Sequence, residues 1–208
     1  SIPFGLLIGR LKGIDIRQHG SGNIGATNVW RTLGSKWGLL VFILDAVKGI
    51  LPVYLAGEFA YSLMPRVTGS SEPFIVSEDL VAWVKAIAGL ACIFGHSFPV
   101  WLKFKGGKGV ATSLGVIVTM MPLLASLIVF AVWGIVFAIS RYVSLASLIA
   151  ALSLPITILV YYYFQWNNVS SVTLGFSCAA AFLVVRRHRE NIRRLVAGTE
   201  NRFGTKKN

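Results

Sequence analysis

The residues best suited to chemistry fall in three short polar stretches. The first, Gly20 to Arg31, reads G-S-G-N-I-G-A-T-N-V-W-R. Gly20, Gly22 and Gly25 let backbone N–H groups turn toward one point, Ser21, Asn23, Thr27 and Asn28 add neutral donors, and Arg31 adds a fixed charge. That composition makes a cradle for phosphate, yet it matches neither the dinucleotide motif nor the P-loop. The second stretch, Gly95 to Thr112, carries His96, Lys105 and a further nest, Gly106-Gly107-Lys108-Gly109. That nest opens a helix whose dipole favours an anion, with Lys108 as a point charge. The third, Arg187 to Arg202, places His188, Asn191 and Leu195 on one helix face and spaces Glu190 and Arg194 to pair at i,i+4.

The elements that must position these stretches are membrane helices. Of the 208 residues 55% are hydrophobic and 13% charged, with a mean hydropathy of +0.69. A soluble domain is about 25% charged, so residues 1–208 read as a single integral-membrane domain. The net charge of +12 then points to anionic lipid and anionic substrate. Nucleic acid is excluded, because no soluble domain remains to hold it. Cys92 and Cys178 lie in apolar runs and read as packing residues. No charged segment precedes an apolar run and a cleavage site, so no secretory signal is expected.

Taken in order, Ser1 to Gly9 reads as the C-terminal half of a helix, since nine residues fall short of the about 20 that cross a bilayer. Trp37 to Gly57 is the next span, with Asp45 and Lys48 placed to pair on one face. Ala56 to Asp79 reads as a loop long enough for a short surface helix. Leu80 to Leu102 spans again. Gly109 to Met121 is a half-length helix that meets a second one at Pro122, and that one ends at Ser140. Arg141 marks a tight turn, Tyr142 to Phe164 crosses with Tyr161, Tyr162, Tyr163 and Trp166 as an aromatic belt, and Val169 to Val185 is the last span.

Charge orients this array. Seventeen of the 20 Lys and Arg residues lie in the connections holding residues 10–36, 103–108 and 141 and in the chain from Arg186 onward. By the positive-inside rule those connections are cytoplasmic. Alternation then requires seven spans, with the N-terminus outside and all three polar stretches on the cytoplasmic face.

These three stretches resemble the acyl-phosphate-dependent glycerol-3-phosphate acyltransferase family of bacterial membranes. The likeness rests on the first stretch, on G-H-S-F-P-V-W-L-K-F-K-G-G-K-G-V-A-T and on R-R-H-R-E-N-I-R-R-L-x-x-G-T-E, in that order along the whole chain. It implies an all-α bundle of seven transmembrane helices in the inner membrane. The implied reaction moves a fatty acyl group from acyl phosphate to the 1-hydroxyl of sn-glycerol 3-phosphate, giving lysophosphatidic acid and phosphate. By match to the family's motifs, Ser21, His188 and Asn191 fall at catalytic positions. Arg31 and Gly106 to Gly109 fall at substrate positions, joined by Asn23, Gly25, Thr27, Asn28, His96, Lys105 and Thr112, and Glu190 is structural. The chain departs from the family in an incomplete first helix and a long 58–79 loop.

The residues suit that chemistry. Both substrates carry phosphate, and an acyl phosphate is an activated mixed anhydride with a weakly basic leaving group, so orientation and charge stabilisation suffice. No His is followed by Asp five positions on, and His19, His96 and His188 are too scattered to ligate a metal. No cofactor, metal or obligate protein partner is therefore expected, and substrate phosphate itself takes the hydroxyl proton. A transporter or sensor for a phosphorylated anion would use similar pockets, but transport needs both faces and these polar residues cluster on one.

Overall fold

The computed structural model describes residues 1–67 and 78–204, and these contain α-helices and short 3₁₀ turns but no strand. The helices are α1 (Phe4–Leu11), α2 (Ala26–Leu33), α3 (Ser35–Val67), α4 (Glu78–Ser97), α5 (Val110–Met120), α6 (Leu123–Ser140), α7 (Val143–Tyr163), α8 (Ser171–Arg187) and α9 (Arg189–Val196). Stretches within α3, α6 and α7, and one from Asp79 to Leu102, are long and apolar enough to cross a membrane. Large apolar side chains on these helices, such as Leu51, Ile87, Phe130 and Ile156, stay exposed, as lipid as solvent permits.

The helix boundaries follow local chemistry. Gly34, at φ 94°, ends α2, and Pro122 separates the short α5 from α6 as expected. Arg141, at φ 59°, makes the tight turn into α7. One expectation fails: α3 continues to Val67 through the beginning of the anticipated Ala56–Asp79 loop. Residues 68–77 of that loop lie outside the described residues.

Between membrane helices, lipid removes the hydrophobic drive to associate, so close backbone approach matters more. α3 crosses α5 at Gly49 and Gly115. A methyl at Gly49 would run into the Thr112 carbonyl, and one at Gly115 into the carbonyl of Ala46. The expected Asp45–Lys48 pair forms at 2.7 Å. Lys48 Nζ also donates to the Ile2 carbonyl at 2.8 Å and to His96 Nδ1 at 3.2 Å, tying the chain before α1 to α3 and α4. Leu6, Ile8, Ile16, Ile24, Val29 and Val41 form a small core beneath the first polar stretch. A larger core, with Val53, Ile93, Val116, Leu154, Ile158 and Phe176, joins α3, α4, α5, α7 and α8.

Candidate active site

Asn28 organises the first stretch. Buried at 2% exposure, it donates through Nδ2 to the carbonyls of Ile16, His19 and Asn23, at 3.1, 3.0 and 2.8 Å, and accepts the Ser21 N–H on Oδ1 at 2.8 Å. Its hydrogen bonds are spent on the loop, and one of them holds the Ser21 N–H. Asn23 Oδ1 accepts the Gly25 N–H at 2.8 Å, and Gly25 caps α2. Ser21, Asn23, Gly25, Thr27 and Arg31 face a cavity. One Arg31 nitrogen, Nη2, reaches the Asn201 carbonyl at 3.1 Å.

The second stretch departs from the nest reading. The Gly106 and Gly107 N–H groups donate back to the carbonyls of Ser97 and His96, at 3.2 and 3.1 Å, satisfying the end of α4 instead of an anion. Their own carbonyls accept from Arg187, Nη2 to Gly106 at 3.0 Å and Nε to Gly107 at 3.2 Å, while the guanidinium lies over Phe98. The glycines are needed for space: a Cβ on Gly107 would strike the His96 imidazole. His96 is thus enclosed between Lys48 and Gly107. Lys105 is exposed and Thr112 is buried with its backbone against α3, and neither lines the cavity that holds Ser21 and Arg31. Lys108 and Gly109 do, at the entrance to α5. Burial pushes the Lys108 ammonium down to about 8. Ser113 Oγ, one turn into α5, is buried without a hydrogen-bond partner among the described residues and also lines the cavity.

In the third stretch His188 is 2% exposed, with Nδ1 2.8 Å from the Val184 carbonyl. A carbonyl only accepts, so Nδ1 carries the proton and Nε2 is left as an acceptor in the neutral ring. Burial, with Lys108 nearby, lowers its pKa to about 4, which keeps the ring neutral at physiological pH. Asn191 Nδ2 donates to Glu200 Oε1 at 2.7 Å, and its buried Oδ1 has no partner among the described residues. The anticipated Glu190–Arg194 pair is absent. Glu190 pairs on the surface with Arg193 at 3.2 Å and Arg189 at 3.5 Å, whereas Arg194 turns to Glu200 at 2.7 Å because that carboxylate is the buried one. Glu200 also accepts from Ser144 Oγ at 2.8 Å. Although burial opposes its ionisation, the bonds from Arg194, Asn191 and Ser144 hold its carboxyl below the ordinary range.

Two cavities meet here. A polar cleft of about 440 Å³ is lined by Ser21, Asn23, Lys108, Asn191 and four arginines, Arg186, Arg187, Arg189 and Arg194. An apolar groove of about 430 Å³ runs from the same place between α3, α5, α6, α7 and α8, past Leu39, Phe130, Trp133 and Leu154. Ser21, Asn23, Lys108 and Asn191 line both. His188 and His96 line the groove alone. Sequence reasoning missed Glu200, Ser113 and Arg187 as site-forming residues. Glu200 and Arg187 both stood inside the third stretch, Glu200 as the carboxylate of G-T-E nine residues beyond Asn191 and Arg187 in the basic run before His188, whereas Ser113 left no signal.

Known proteins resemble this chain over nearly its whole length. The family model described as glycerol-3-phosphate acyltransferase matches residues 1–198. A glycerol-3-phosphate acyltransferase of Aquifex aeolicus (strain VF5) is 43% identical over 203 residues, covering 98% of this chain and 93% of the relative. One from Trichlorobacter lovleyi is 44% identical over 203 residues, covering 98% and 91%. The crystal structure of PlsY (YgiH), an integral membrane glycerol 3-phosphate acyltransferase, in its glycerol 3-phosphate form superposes with a TM-score of 0.80 at 41% identity, over 98% of this chain and 90% of that one. Its lysophosphatidic acid form gives 0.78 at 40% identity, over 99% and 90%. Matched by the family model over residues 1–198 and 43% identical to a relative over 98% of its length, this chain belongs to the glycerol-3-phosphate acyltransferase family.

Proposed function

We propose that this protein transfers a fatty acyl group from acyl phosphate to the 1-hydroxyl of sn-glycerol 3-phosphate, releasing lysophosphatidic acid and phosphate. The observation that carries this reading is the junction of the basic cleft and the apolar groove at Ser21, Asn23, Lys108 and Asn191. A water-soluble phosphate ester and a lipid chain then meet at one point, where acyl transfer must occur.

In this reading the acyl chain lies in the groove and the arginines with Lys108 hold phosphate charge. His188 Nε2 and Asn191 Oδ1 are acceptors fixed by their other bonds, to Val184 and Glu200, and they orient the glycerol hydroxyl. The hydroxyl oxygen attacks the acyl carbonyl carbon, the bond from that carbon to the phosphate oxygen breaks, and the departing phosphate takes the hydroxyl proton. Ser21, held by Asn28, and the first N–H groups of α5 offer donors to the developing oxyanion.

The remaining expectations belong to the same proposal. α1 and α3 to α8 serve as seven spans, and the basic connections put the site and the C-terminus in the cytoplasm, at the bacterial inner membrane. Purified protein in lipid should make lysophosphatidic acid from acyl phosphate, without a divalent metal, and give a negligible rate with acyl-CoA or acyl carrier protein. Comparable turnover with acyl-CoA, or activity lost to a chelator and restored by metal, would overturn the donor or the metal-free step.

A further inference from the structure

The chain beyond α9 does more than supply Glu200. Gly198, at φ 68°, turns it back toward the bundle. Glu200 then anchors to Ser144, Asn191 and Arg194. The Asn201 carbonyl accepts from Arg31, Arg202 Nε donates to the Ser140 carbonyl at 3.3 Å, and the Phe203 N–H donates to the Arg141 carbonyl at 2.8 Å. The Phe203 ring stands edge-on to Trp30 of α2, with centroids 5.8 Å apart, and to Phe137 of α6, 5.5 Å apart. α6 packs mainly on α7, and α2 on α3, so the groove mouth between the two pairs is bridged by this segment instead of by helix packing. Trp30, Phe137 and Phe203 all line the groove.

We propose that residues 200–203 form a strap across the cytoplasmic mouth of the groove, and that Phe203, seated between Trp30 and Phe137, excludes water from the acyl carbon. This rests on the acyl-phosphate reading above. An activated acyl donor can lose its acyl group to water as well as to glycerol 3-phosphate: the water oxygen bonds to the acyl carbon, the carbon–phosphate oxygen bond breaks, and fatty acid and phosphate leave. Discrimination between the two nucleophiles then depends on which one reaches the carbon, and a ring at the mouth decides that. The bonds that seat the strap also fix Arg31 and Asn191, so closure and alignment of the polar residues are one arrangement.

The test is the partition between lysophosphatidic acid and free fatty acid formed by the full chain in lipid nanodiscs, supplied with acyl phosphate and glycerol 3-phosphate. F203A should raise the ratio of fatty acid to lysophosphatidic acid about tenfold, and F203L, which keeps apolar bulk, should fall between it and the wild type. A simple loss of chain contact would weaken donor binding and slow both products together, leaving the ratio unchanged. An unchanged ratio in folded F203A would overturn the strap. Should F203A fail to fold, F203L decides: a raised ratio supports the proposal and a wild-type ratio overturns it. A wild-type protein that transfers no acyl group from acyl phosphate would instead overturn the function on which the strap rests.

Discussion

Asn191 commits one end of its carboxamide and leaves the other open: Nδ2 donates to Glu200 Oε1 at 2.7 Å, and Oδ1 is left buried and unpaired among the described residues. The carboxylate, which can only accept, therefore decides which end of the carboxamide faces the site.

Glu200→Gln should show this. An amide in that place loses the Arg194 ion pair and, having a single acceptor oxygen, must turn its NH2 donor toward either Arg194 or the Asn191 and Ser144 donors. A buried unpaired donor costs about 1–3 kcal/mol, and where that cost falls on the alignment of Asn191 in the transition state kcat should fall roughly 5- to 150-fold. A side-chain swap confined to structure would lower thermal stability alone. Because the folded carboxyl lies below its ordinary range, the strap's contribution to stability is full above the unfolded value and is lost as pH falls through the folded one. Wild-type melting temperature should therefore drop on acidification more than that of Glu200→Gln.

Lys108 predicts the alkaline side. Burial pushes its ammonium down to about 8, so the free protein loses the charge that the proposed mechanism sets against phosphate as pH rises through that value. kcat/KM for glycerol 3-phosphate should fall above about pH 8, and Lys108→Arg, which stays charged, should shift that limb upward by at least a unit. An unshifted limb would assign it to another group.

His188 predicts a gap in the profile. With its folded pKa at about 4, His188 adds no acid limb near the ordinary imidazole value, and a limb near about pH 6, where phosphate monoesters titrate, should persist in His188→Ala. His188→Ala should lower kcat more than it raises KM for glycerol 3-phosphate, as loss of an orienting acceptor does. A KM effect alone would make His188 a binding residue.

Gly107 separates space from contact. An alanine there meets the His96 ring, so Gly107→Ala should lower stability by about 1–3 kcal/mol, as overpacking does. His96→Ala should make the same change tolerated, a coupling that thermal melts of the double-mutant cycle measure. Purely additive effects would mean that the His96 ring is not what excludes a side chain at 107.

Much of this was legible before any coordinates. Four stretches, in α3, from Asp79 to Leu102, in α6 and in α7, reported themselves through length and hydropathy, the break at Pro122 through proline's missing donor, and the three polar stretches through glycine and charge. The roles inside the stretches were less legible. Glycines at 106 and 107 suit an anion nest and a helix end equally, and only the position of His96 and the carbonyls at the end of α4 decides between them. Glu190 and Arg194 satisfied a helical spacing rule, but the rule is blind to Glu200 arriving from beyond α9. The extension of α3 to Val67 ran through a stretch whose polar residues resembled a loop.

The crossing at Gly49 and Gly115 limits how the groove can be reshaped. α3 and α5 already touch backbone to backbone there, so the wall carrying Leu114 and Ile117 has nowhere to retreat. Room for a longer or bulkier chain has to come from the opposite bank, at Phe130, Trp133 and Leu154 on α6 and α7. Relatives that handle different fatty chains should therefore vary at those three positions while keeping small residues at the crossing, and chain-length engineering should begin on α6 and α7.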